Sequence, residues 1–436
     1  MSANAPGWGA TSVSRGLWDG WAGPAGWSGR YHVSGVGALY VHVPFCVRKC
    51  RYCDFASVGC AMGSARLEEY VDLACKRIDC LAGLGLLGRV RTAYVGGGTP
   101  SMLGPTLLER LCGKVADACG PVEFSCEANP DTLTADVARA MGNAGVTRVS
   151  VGVQSLDDRE LAALGRLHDA NGALSAIESA RLAGLDVSCD LMCGIPLQTP
   201  DSWERTLRLA SESGVGHVSV YPLMVEDGTP LAADVDAGRL DEPDPDVQAD
   251  LMLRASDALL ACGFDRYEVA SYAKPGKRCE HNVAYWSGIP YAGVGVGASG
   301  MYSVEAYELL RIAEKCLPAA PSDCVRVRVS ERMGAGASRS HFSVEFLDIR
   351  QATCEDLMLG CRMSDGVAPG LLSHARDVMG ADAVDSTVAG AVADGLAKPS
   401  GAGGLAPTRD GWLLGNELYE RMWDLSMGTI ETRECR

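Results

Sequence analysis

Short apolar, β-branched runs alternate with longer segments of helical periodicity from residue 39 onward. The six candidate strands span residues 39–43, 91–95, 122–127, 147–153, 186–192 and 217–221. The five candidate helices between them span residues 67–81, 105–118, 135–143, 171–183 and 202–212. Such alternation is typical of parallel βα units. We therefore predict an α/β fold built on a partial (β/α)6 barrel.

Glycines and isolated polar residues follow the carboxyl ends of these predicted strands. In chain order they are the turn Gly96-Gly97-Gly98-Thr99-Pro100, then Glu127-Ala128-Asn129-Pro130, Gln154-Ser155, Asp190 and Tyr221. The carboxyl ends of the strands form the active-site face of a βα barrel. The pattern therefore predicts one functional rim that collects these residues.

Three cysteines, Cys46, Cys50 and Cys53, follow the first predicted strand with the spacing CxxxCxxC. Three soft thiolates on one short loop suit an iron–sulfur cube. Because a cube has four irons, three protein ligands leave one iron open to another molecule. The spacing therefore predicts a ligand-binding cluster rather than one that only carries electrons.

Two other interpretations of this loop remain open at this point. A structural zinc site needs a fourth ligand, which here has to be Cys60 or His42. A disulfide leaves one thiol over and requires an oxidising compartment. The chain contains eighteen cysteines, and we expect nearly all of those outside the loop to be small buried apolar residues.

Composition limits the classes of partner. The 436 residues include 39 Lys and Arg against 55 Asp and Glu, which gives a formal net charge of -16. This balance disfavours nucleic acid as a partner. The sequence has no apolar stretch long enough for a transmembrane segment and no signal-peptide core, so we expect a cytoplasmic protein.

The pattern divides the chain into four parts. Residues 1–36 are a Gly- and Trp-rich extension that we expect to be disordered or weakly docked. Residues 37–305 form the barrel core, and residues 306–343 are predicted to be a linker. Residues 344–436 resume an α+β pattern that predicts a smaller, winged-helix-like C-terminal domain.

Six motifs together resemble one known family. They are LYVHVPFCVRKCRYCDF, YVGGGTPSML, EANPDTLT, GVQSLDDRELAALGRLHDA, DLMCGIPLQTP and CEHNVAYW. The chain resembles the radical S-adenosylmethionine (SAM) proteins of the oxygen-independent coproporphyrinogen III oxidase group. The resemblance runs from about residue 39 to residue 302, with a weaker similarity to the C-terminus.

This resemblance implies cofactors and their contacts. Cys46, Cys50 and Cys53 would bind a [4Fe–4S] cluster, with SAM on the remaining iron. The positions that match SAM-contacting residues of the family are Tyr40, Gly97, Gly98, Thr99, Glu127, Gln154, Arg166 and Asp190. In the oxidases some of these contacts serve a second SAM.

Two features favour the heme chaperones of this group over its oxidases. Oxidases carry a further cysteine two residues after the third, where this chain has Phe55. Residues 281–286 match the HNxxYW motif of the chaperones, so His281 is the expected heme ligand, with Cys279 as a rival. The resemblance thus implies heme as ligand and apo-hemoproteins as recipients, and it leaves a homodimer open. The alternative function is oxidative decarboxylation of coproporphyrinogen III.

Overall fold

The computed structural model describes residues 18, 31–333, 340–401 and 403–435. The first eight strands are β1 (Ala38–Val43), β2 (Phe45–Cys46), β3 (Val58–Gly59), β4 (Thr92–Gly97), β5 (Glu123–Ala128), β6 (Arg148–Gln154), β7 (Asp186–Cys193) and β8 (His217–Pro222). The remaining strands are β9 (Asp265–Arg266), β10 (Ser271–Ala273), β11 (Tyr291–Val294), β12 (Ser299–Ser303), β13 (Cys324–Met333), β14 (Ser340–Asp348), β15 (Ala397–Ser400), β16 (Gly404–Pro407) and β17 (Glu431–Cys435).

In the described residues fifteen α-helices accompany these strands, and a short 3-10 helix spans Pro100–Leu103. The helices of the first part are α1 (Ala65–Gly83), α2 (Gly104–Cys119), α3 (Ala135–Asn143), α4 (Asp158–Leu164), α5 (Ala170–Leu182), α6 (Pro200–Glu212), α7 (Pro230–Asp236) and α8 (Pro245–Ala261). The others are α9 (Glu280–Trp286), α10 (Val304–Ala313), α11 (Ile349–Cys361), α12 (Pro369–Met379), α13 (Ala381–Ala393), α14 (Arg409–Leu413) and α15 (Gly415–Asp424).

One large sheet organises the part of the chain that the structure describes; its thirteen strands there have the order β17-β14-β13-β12-β11-β1-β4-β5-β6-β7-β8-β10-β9. Strands β1, β4, β5, β6, β7 and β8 are parallel neighbours. These are the six predicted strands, so the partial (β/α)6 barrel is confirmed. Within the described ranges β17 and β9 are the two edges of the sheet, so the barrel stays open.

Side-chain caps fix where several barrel helices begin. The Thr134 hydroxyl accepts a hydrogen bond from the N–H of Val137 at the start of α3. The Asp157 carboxylate does the same for α4. Thr199 and Ser202 form a reciprocal capping box that begins α6. Each cap satisfies backbone donors that have no partner in the first helical turn.

The main core lies between the sheet and its helices, with Leu39, Val41 and Val43 of β1 completely buried. Helices α11, α12, α13 and α15 and the β15–β16 hairpin enclose a second, smaller core around Leu357 and Leu418. This confirms an α+β C-terminal domain. The strands that flank this domain, β14 and β17, pair within the large sheet. The predicted domain boundary at residue 344 therefore falls inside β14.

Residues 306–343 are not a simple linker, contrary to the prediction. They contain most of α10, all of β13 and the start of β14. This segment forms a strand because valine and arginine alternate along β13. The arginines form ion pairs with acidic side chains of α11. Arg326 is buried between Glu355 and Asp356, at 2.6 Å from each carboxylate.

The N-terminal extension docks on the core where the structure describes it, at Trp18 and residues 31–36. The indole of Trp18 packs on Ala38, Ala284 and Ile289 and donates to the carbonyl of Glu280 at 3.2 Å. Residues 31–36 are also packed, with Tyr31 buried. Large aromatic side chains gain more from burial than their ordering costs. Residues 1–17 and 19–30 lie outside the described residues.

Among the described helices, none is both long enough and apolar enough to span a membrane.

Candidate cofactor site

The cysteine loop lies at the carboxyl end of β1 and is held from several sides. The backbone carbonyl of Cys46 accepts from the N–H of Cys60 at 2.8 Å, within the short β2–β3 pairing. The Arg48 guanidinium donates to the carbonyl of Gly165 at 2.8 Å. Arg51 forms an ion pair with Asp234 on α7. These contacts fix the loop against the ends of α4 and α7.

The three predicted cluster ligands occupy this loop together. Cys46 is buried, whereas Cys50 and Cys53 are partly exposed. Burial raises the pKa of the Cys53 thiol, and the neighbouring Cys50 and Cys46 contribute to the rise. In the described part of the chain, no three Cys, His, Asp or Glu side chains converge on one point as a single ion requires. A cube instead distributes its ligands over separate irons.

Two polar groups approach the cluster thiols. The Thr99 hydroxyl donates to Cys46 Sγ at 3.4 Å, and the Arg166 guanidinium donates to Cys50 Sγ at 3.3 Å. Coordinating thiolates accept such hydrogen bonds from the surrounding protein. The donor set therefore fits an anionic thiolate-bound cluster.

The glycine turn packs tightly against the strand that leads into the cysteine loop. A Cβ at Gly98 would lie 2.5 Å from the carbonyl oxygen of Phe45. A Cβ at Gly97, which has φ +115°, would lie 2.8 Å from the His42 ring. Glycine is thus required at both positions by close packing. This places the turn directly beside the start of the cysteine loop.

Glu127 and Asp190 face the barrel interior from β5 and β7. Glu127 accepts from the Tyr94 hydroxyl at 2.9 Å and from the N–H of Gly97 at 3.1 Å. Burial, with a contribution from Asp190, raises the pKa of Glu127 to about 7. Burial likewise raises the pKa of Asp190 to about 6, against hydrogen bonds that include one from Ser150 at 3.0 Å. A cationic ligand would stabilise both carboxylates in their charged form.

Gln154 adopts an uncommon backbone conformation at the end of β6. Its φ is +64°, in the left-handed region that glycine favours, and the pairing with β7 is irregular there. Strained residues of this kind concentrate at ligand-binding sites. Its side chain lies near that of Arg166, since a Cβ added at Gly152 would lie 3.0 Å from Gln154 Nε2 and 3.3 Å from the Arg166 guanidinium.

Tyr40 lines the same interior beside His42, two residues further along β1. The Tyr40 hydroxyl lies 3.0 Å from His42 Nδ1, and His42 Nε2 lies 2.8 Å from the carbonyl of Ala56 in the cysteine loop. The glycine run 295–300, which satisfies GxGxxG, joins antiparallel β11 and β12. A Cβ at Gly297 would lie 2.7 Å from Ala56. These glycines therefore accommodate the cysteine loop rather than a dinucleotide.

His281 lies at the opposite end of the barrel. Its Nδ1 is 3.0 Å from the Thr92 hydroxyl at the amino end of β4, whereas Gly97 ends the same strand at the cluster rim. Five residue steps along β4 separate Thr92 from Gly97, a distance of about 17 Å at roughly 3.3 Å per residue. The structure thus brings together all the predicted SAM-contacting positions but keeps His281 apart.

The His281 side chain is enclosed. It is 1% exposed, and its ring lies 5.2 Å from that of Tyr94 and 5.0 Å from that of Tyr285. Burial lowers its pKa to about 3, which keeps the imidazole neutral. The Nε2 atom is buried without a hydrogen-bond partner among the described residues.

Helix α9 closes this end of the barrel between three other parts of the molecule. The Glu123 carboxylate of β5 accepts from the N–H groups of Glu280 and His281. Trp286 contacts the C-terminal domain, where the Arg362 guanidinium lies 5.2 Å from its ring centre. Tyr285 packs edge-on against Tyr291 at 4.3 Å. Tyr285 and Trp286, the two aromatic residues of the HNxxYW motif, therefore contact protein in this conformation.

Several residues of the site were not predicted as cofactor contacts. Asn129 contacts both Thr99 and Arg166, Ser150 contacts Asp190, and Tyr94 contacts Glu127. Asn129 follows Glu127 by two positions, so strand alternation could have placed both on the same face. Ser150 and Tyr94 lie inside strands. Their only sequence signal is a polar side chain on the interior face of the strand.

Comparison with known proteins agrees with this geometry. The sequence profile of the Radical SAM superfamily matches residues 40–210. The chain is 34% identical over 343 residues to the heme chaperone HemW of Mycobacterium tuberculosis, covering 78% of this chain and 84% of that protein. The heme chaperone HemW of Escherichia coli is 36% identical over 278 residues, 63% of this chain and 72% of its own length.

A solved structure shares the fold. Coproporphyrinogen III oxidase (HemN) from Escherichia coli, a radical SAM enzyme, matches with a TM-score of 0.70 and 19% identity. The match covers 91% of this chain and 92% of that one. At this identity the likeness shows the fold alone.

The cofactors of the superfamily fit the residues present. Radical SAM proteins hold a [4Fe–4S] cluster and SAM, and the cluster supplies one-electron chemistry when both are bound. Cys46, Cys50 and Cys53 would hold the cluster, and the half-buried carboxylate of Glu127 beside the glycine turn suits a cationic cofactor. From the sequence identity, its coverage and the matching superfamily profile, we conclude that this chain belongs to the radical SAM superfamily and, within it, to the HemW family.

Proposed function

We propose that the protein is a cytoplasmic heme chaperone of the HemW type, which binds heme and delivers it to apo-hemoproteins. The observation that carries the proposal is the state of His281. One ring nitrogen is held by Thr92, and the other is buried with no partner among the described residues. The eighteen free cysteines agree with a reducing compartment.

The chemistry of His281 suits an axial ligand to heme iron. A neutral imidazole with its proton on Nδ1 presents a lone pair on Nε2. Hydrogen bonding at the other nitrogen is the usual way in which proteins orient a ligating histidine. Leaving a buried nitrogen unpaired costs about 1–3 kcal/mol, which a bound iron would recover.

Heme binding at His281 requires α9 to move. A porphyrin cannot reach a side chain that is 1% exposed, so the bound state needs a conformation in which α9 leaves the barrel end. Heme is then a cargo that binds at the end opposite the cluster. The cluster and SAM would support this by biasing the barrel conformation rather than by contacting heme.

Cys279 is the weaker candidate for the iron ligand. Its Sγ donates to the Glu123 carboxylate at 3.5 Å, and burial raises the pKa of the thiol far above its ordinary range. A protonated thiol is a poor iron ligand. His281, which burial keeps neutral, needs no deprotonation.

The test is an anaerobic heme titration of His281→Ala beside wild type. The matched control is His217→Ala, because His217 is equally buried but both of its ring nitrogens have partners, Ser188 and Tyr267. We expect His281→Ala to lose the imidazole-ligated heme spectrum and to regain it with added imidazole. Equal heme spectra and affinities in wild type and His281→Ala would contradict the proposal.

A separate assay addresses catalysis. Phe55 occupies the position where the oxidases carry a fourth cysteine, and its side chain is 65% exposed. We therefore expect no conversion of coproporphyrinogen III by reconstituted protein with SAM and a reductant. Formation of protoporphyrinogen would instead assign the oxidase activity to this chain.

A further inference from the structure

The side chain of Asn129 joins the two polar groups that contact the cluster thiols. Its Nδ2 donates to the Thr99 hydroxyl at 2.9 Å, and its Oδ1 accepts from the Arg166 guanidinium at 2.8 Å. Thr99 and Arg166 in turn contact Cys46 and Cys50. One amide therefore connects the two groups that donate hydrogen bonds to two different cluster cysteines.

The donor and acceptor groups fix the direction of each hydrogen bond from Arg166 through Asn129 and Thr99 to Cys46. A guanidinium has no acceptor, so the Asn129 atom facing Arg166 must be the carbonyl oxygen. The amide NH2 then faces Thr99, and the Thr99 oxygen must accept from it. The single hydroxyl proton of Thr99 is thereby left for Cys46 Sγ. Rotating the amide would break both contacts at once.

The Asn129 side chain is used for this purpose and not for a local turn. Its backbone N–H donates to the Ser101 hydroxyl at 3.2 Å, and its backbone carbonyl accepts from Thr132 and Leu133. Asparagine at a strand end often bonds to backbone nearby in sequence. Here both amide atoms instead bind side chains at least 30 positions away.

The space around this network is kept free of other atoms by a glycine. A Cβ at Gly152 would lie 3.1 Å from Asn129 Oδ1 and 3.3 Å from the Arg166 guanidinium. The carbonyl of Gly152 accepts from the same guanidinium at 2.7 Å. The guanidinium therefore has a defined position between the strand and Cys50.

We propose that Asn129 is a positioning residue that aims Thr99 and Arg166 at the cluster thiolates and so raises the reduction potential of the cluster. Hydrogen bonds to the sulfurs of an iron–sulfur cluster are among the factors that set its potential. These hydrogen bonds stabilise the reduced cluster more than the oxidised cluster, because the reduced cluster carries the greater negative charge. The inference rests on the [4Fe–4S] cluster of the proposed function but not on heme.

The test is an EPR-monitored redox titration of the reconstituted cluster, made before SAM is added. We expect Asn129→Ala to shift the midpoint potential to more negative values and to change the cluster g values. Thr99→Val should shift the potential in the same direction. The double variant should shift no further than Asn129→Ala alone, because Asn129→Ala already removes the contact that directs the Thr99 hydroxyl toward Cys46.

The matched control is Ser101→Ala. Ser101 accepts from the backbone N–H of Asn129 and shares a hydrogen bond with the Thr132 hydroxyl, and among the described residues none of its hydrogen bonds involves a cluster cysteine. It should leave the potential unchanged. Asn129→Asp is the second variant, since it keeps the contact with Arg166 but loses the donor to Thr99, and it should also lower the potential.

Three results would overturn the inference. These are an unchanged potential in both Asn129 variants, an equal shift in Ser101→Ala, or loss of the cluster from both Asn129 variants. The last result would show that Asn129 holds the loop together rather than tuning the thiolates. Absence of any [4Fe–4S] signal in wild type would instead contradict the proposed cofactor itself.

Discussion

The Glu127 carboxylate accepts a hydrogen bond from the backbone N–H of Gly97 at 3.1 Å. This bond links the end of β5 to the glycine turn that follows β4. It places the charge of Glu127 beside the turn and the cysteine loop, although burial opposes that charge. The cofactor end of the barrel thus contains a carboxylate whose ionisation depends on what binds there.

SAM affinity should follow the ionisation of Glu127. Its pKa is raised to about 7, so the carboxylate is largely protonated below pH 7 and charged above it. We expect SAM to bind more tightly as the pH rises through about 7. A charge-assisted hydrogen bond contributes about 1.5–3 kcal/mol, so Glu127→Gln should weaken SAM binding roughly 10- to 150-fold at pH 8.

Anaerobic equilibrium binding of SAM between pH 6 and 8.5 checks this prediction. The Glu127→Gln variant is the control for the profile, because it cannot titrate at this position and should show a flatter dependence. A wild-type affinity that falls as the pH rises would show that Glu127 does not bind the cationic part of SAM.

Gly152→Ala should displace the Arg166 guanidinium. The added Cβ would lie 3.0–3.3 Å from three polar side-chain ends, which can shift at a cost of about 1–3 kcal/mol. We expect changed EPR parameters of the cluster in a folded protein. Gly113→Ala in α2 is the control, since its Cβ would meet nothing within 4 Å. Identical cluster spectra in the two variants would argue against the prediction.

Arg326 should be essential for joining β13 to the C-terminal domain. Its guanidinium lies 2.6 Å from both Glu355 and Asp356, and all three side chains are at most 5% exposed. Removing one partner of a buried ion pair costs about 3–5 kcal/mol. We therefore expect Arg326→Ala to lower the free energy of unfolding by about that amount in urea denaturation.

The control for Arg326 is an ion pair of similar length on the surface. Arg409 and Asp257 are 3.0 Å apart but 53% and 65% exposed. Exposed pairs contribute about 0–1 kcal/mol, so Arg409→Ala should have little effect. Similar losses of stability in the two variants would mean that the buried cluster is not a specific connection.

Much of the barrel could be predicted from the sequence because its signals are local. The six strands were recognisable from their apolar runs, and their polar ends marked the rim where Glu127, Asp190 and the cysteines meet. Each signal depends only on alternation along the chain and on the rule that the carboxyl ends of parallel strands share one face.

The rest depends on contacts between distant segments. The arginines of β13 resemble a polar linker until Glu355 and Asp356 of α11 are placed beside them. Trp18 resembles part of a disordered leader until it packs on α9. His281 was predicted as a ligand from its motif, but the sequence did not reveal that it lies at the end opposite the cysteines.

Trp18 should slow the access of heme to His281. Its indole holds the start of α9 through Glu280 and packs on Ala284. If Trp18→Ala removes about 1–3 kcal/mol of closed-state stability, the heme-competent fraction rises roughly 5- to 150-fold. Stopped-flow mixing with heme should show a faster association for this variant.

Tyr31→Phe is the control for that experiment. It changes the same N-terminal segment but removes a hydrogen bond to Asp356, at 3.0 Å, rather than a contact with α9. Its heme association should match wild type. An unchanged rate in Trp18→Ala, together with a lower melting temperature, would show that Trp18 stabilises the fold without controlling access.

The most direct measurement on the whole account is the EPR spectrum of the reduced, reconstituted protein before and after SAM is added. Three cysteines on a cube leave one iron for SAM, so the account predicts a [4Fe–4S] signal whose g values change with SAM. A stoichiometric zinc ion in anaerobically purified protein, or a cluster signal that SAM does not alter, would contradict it.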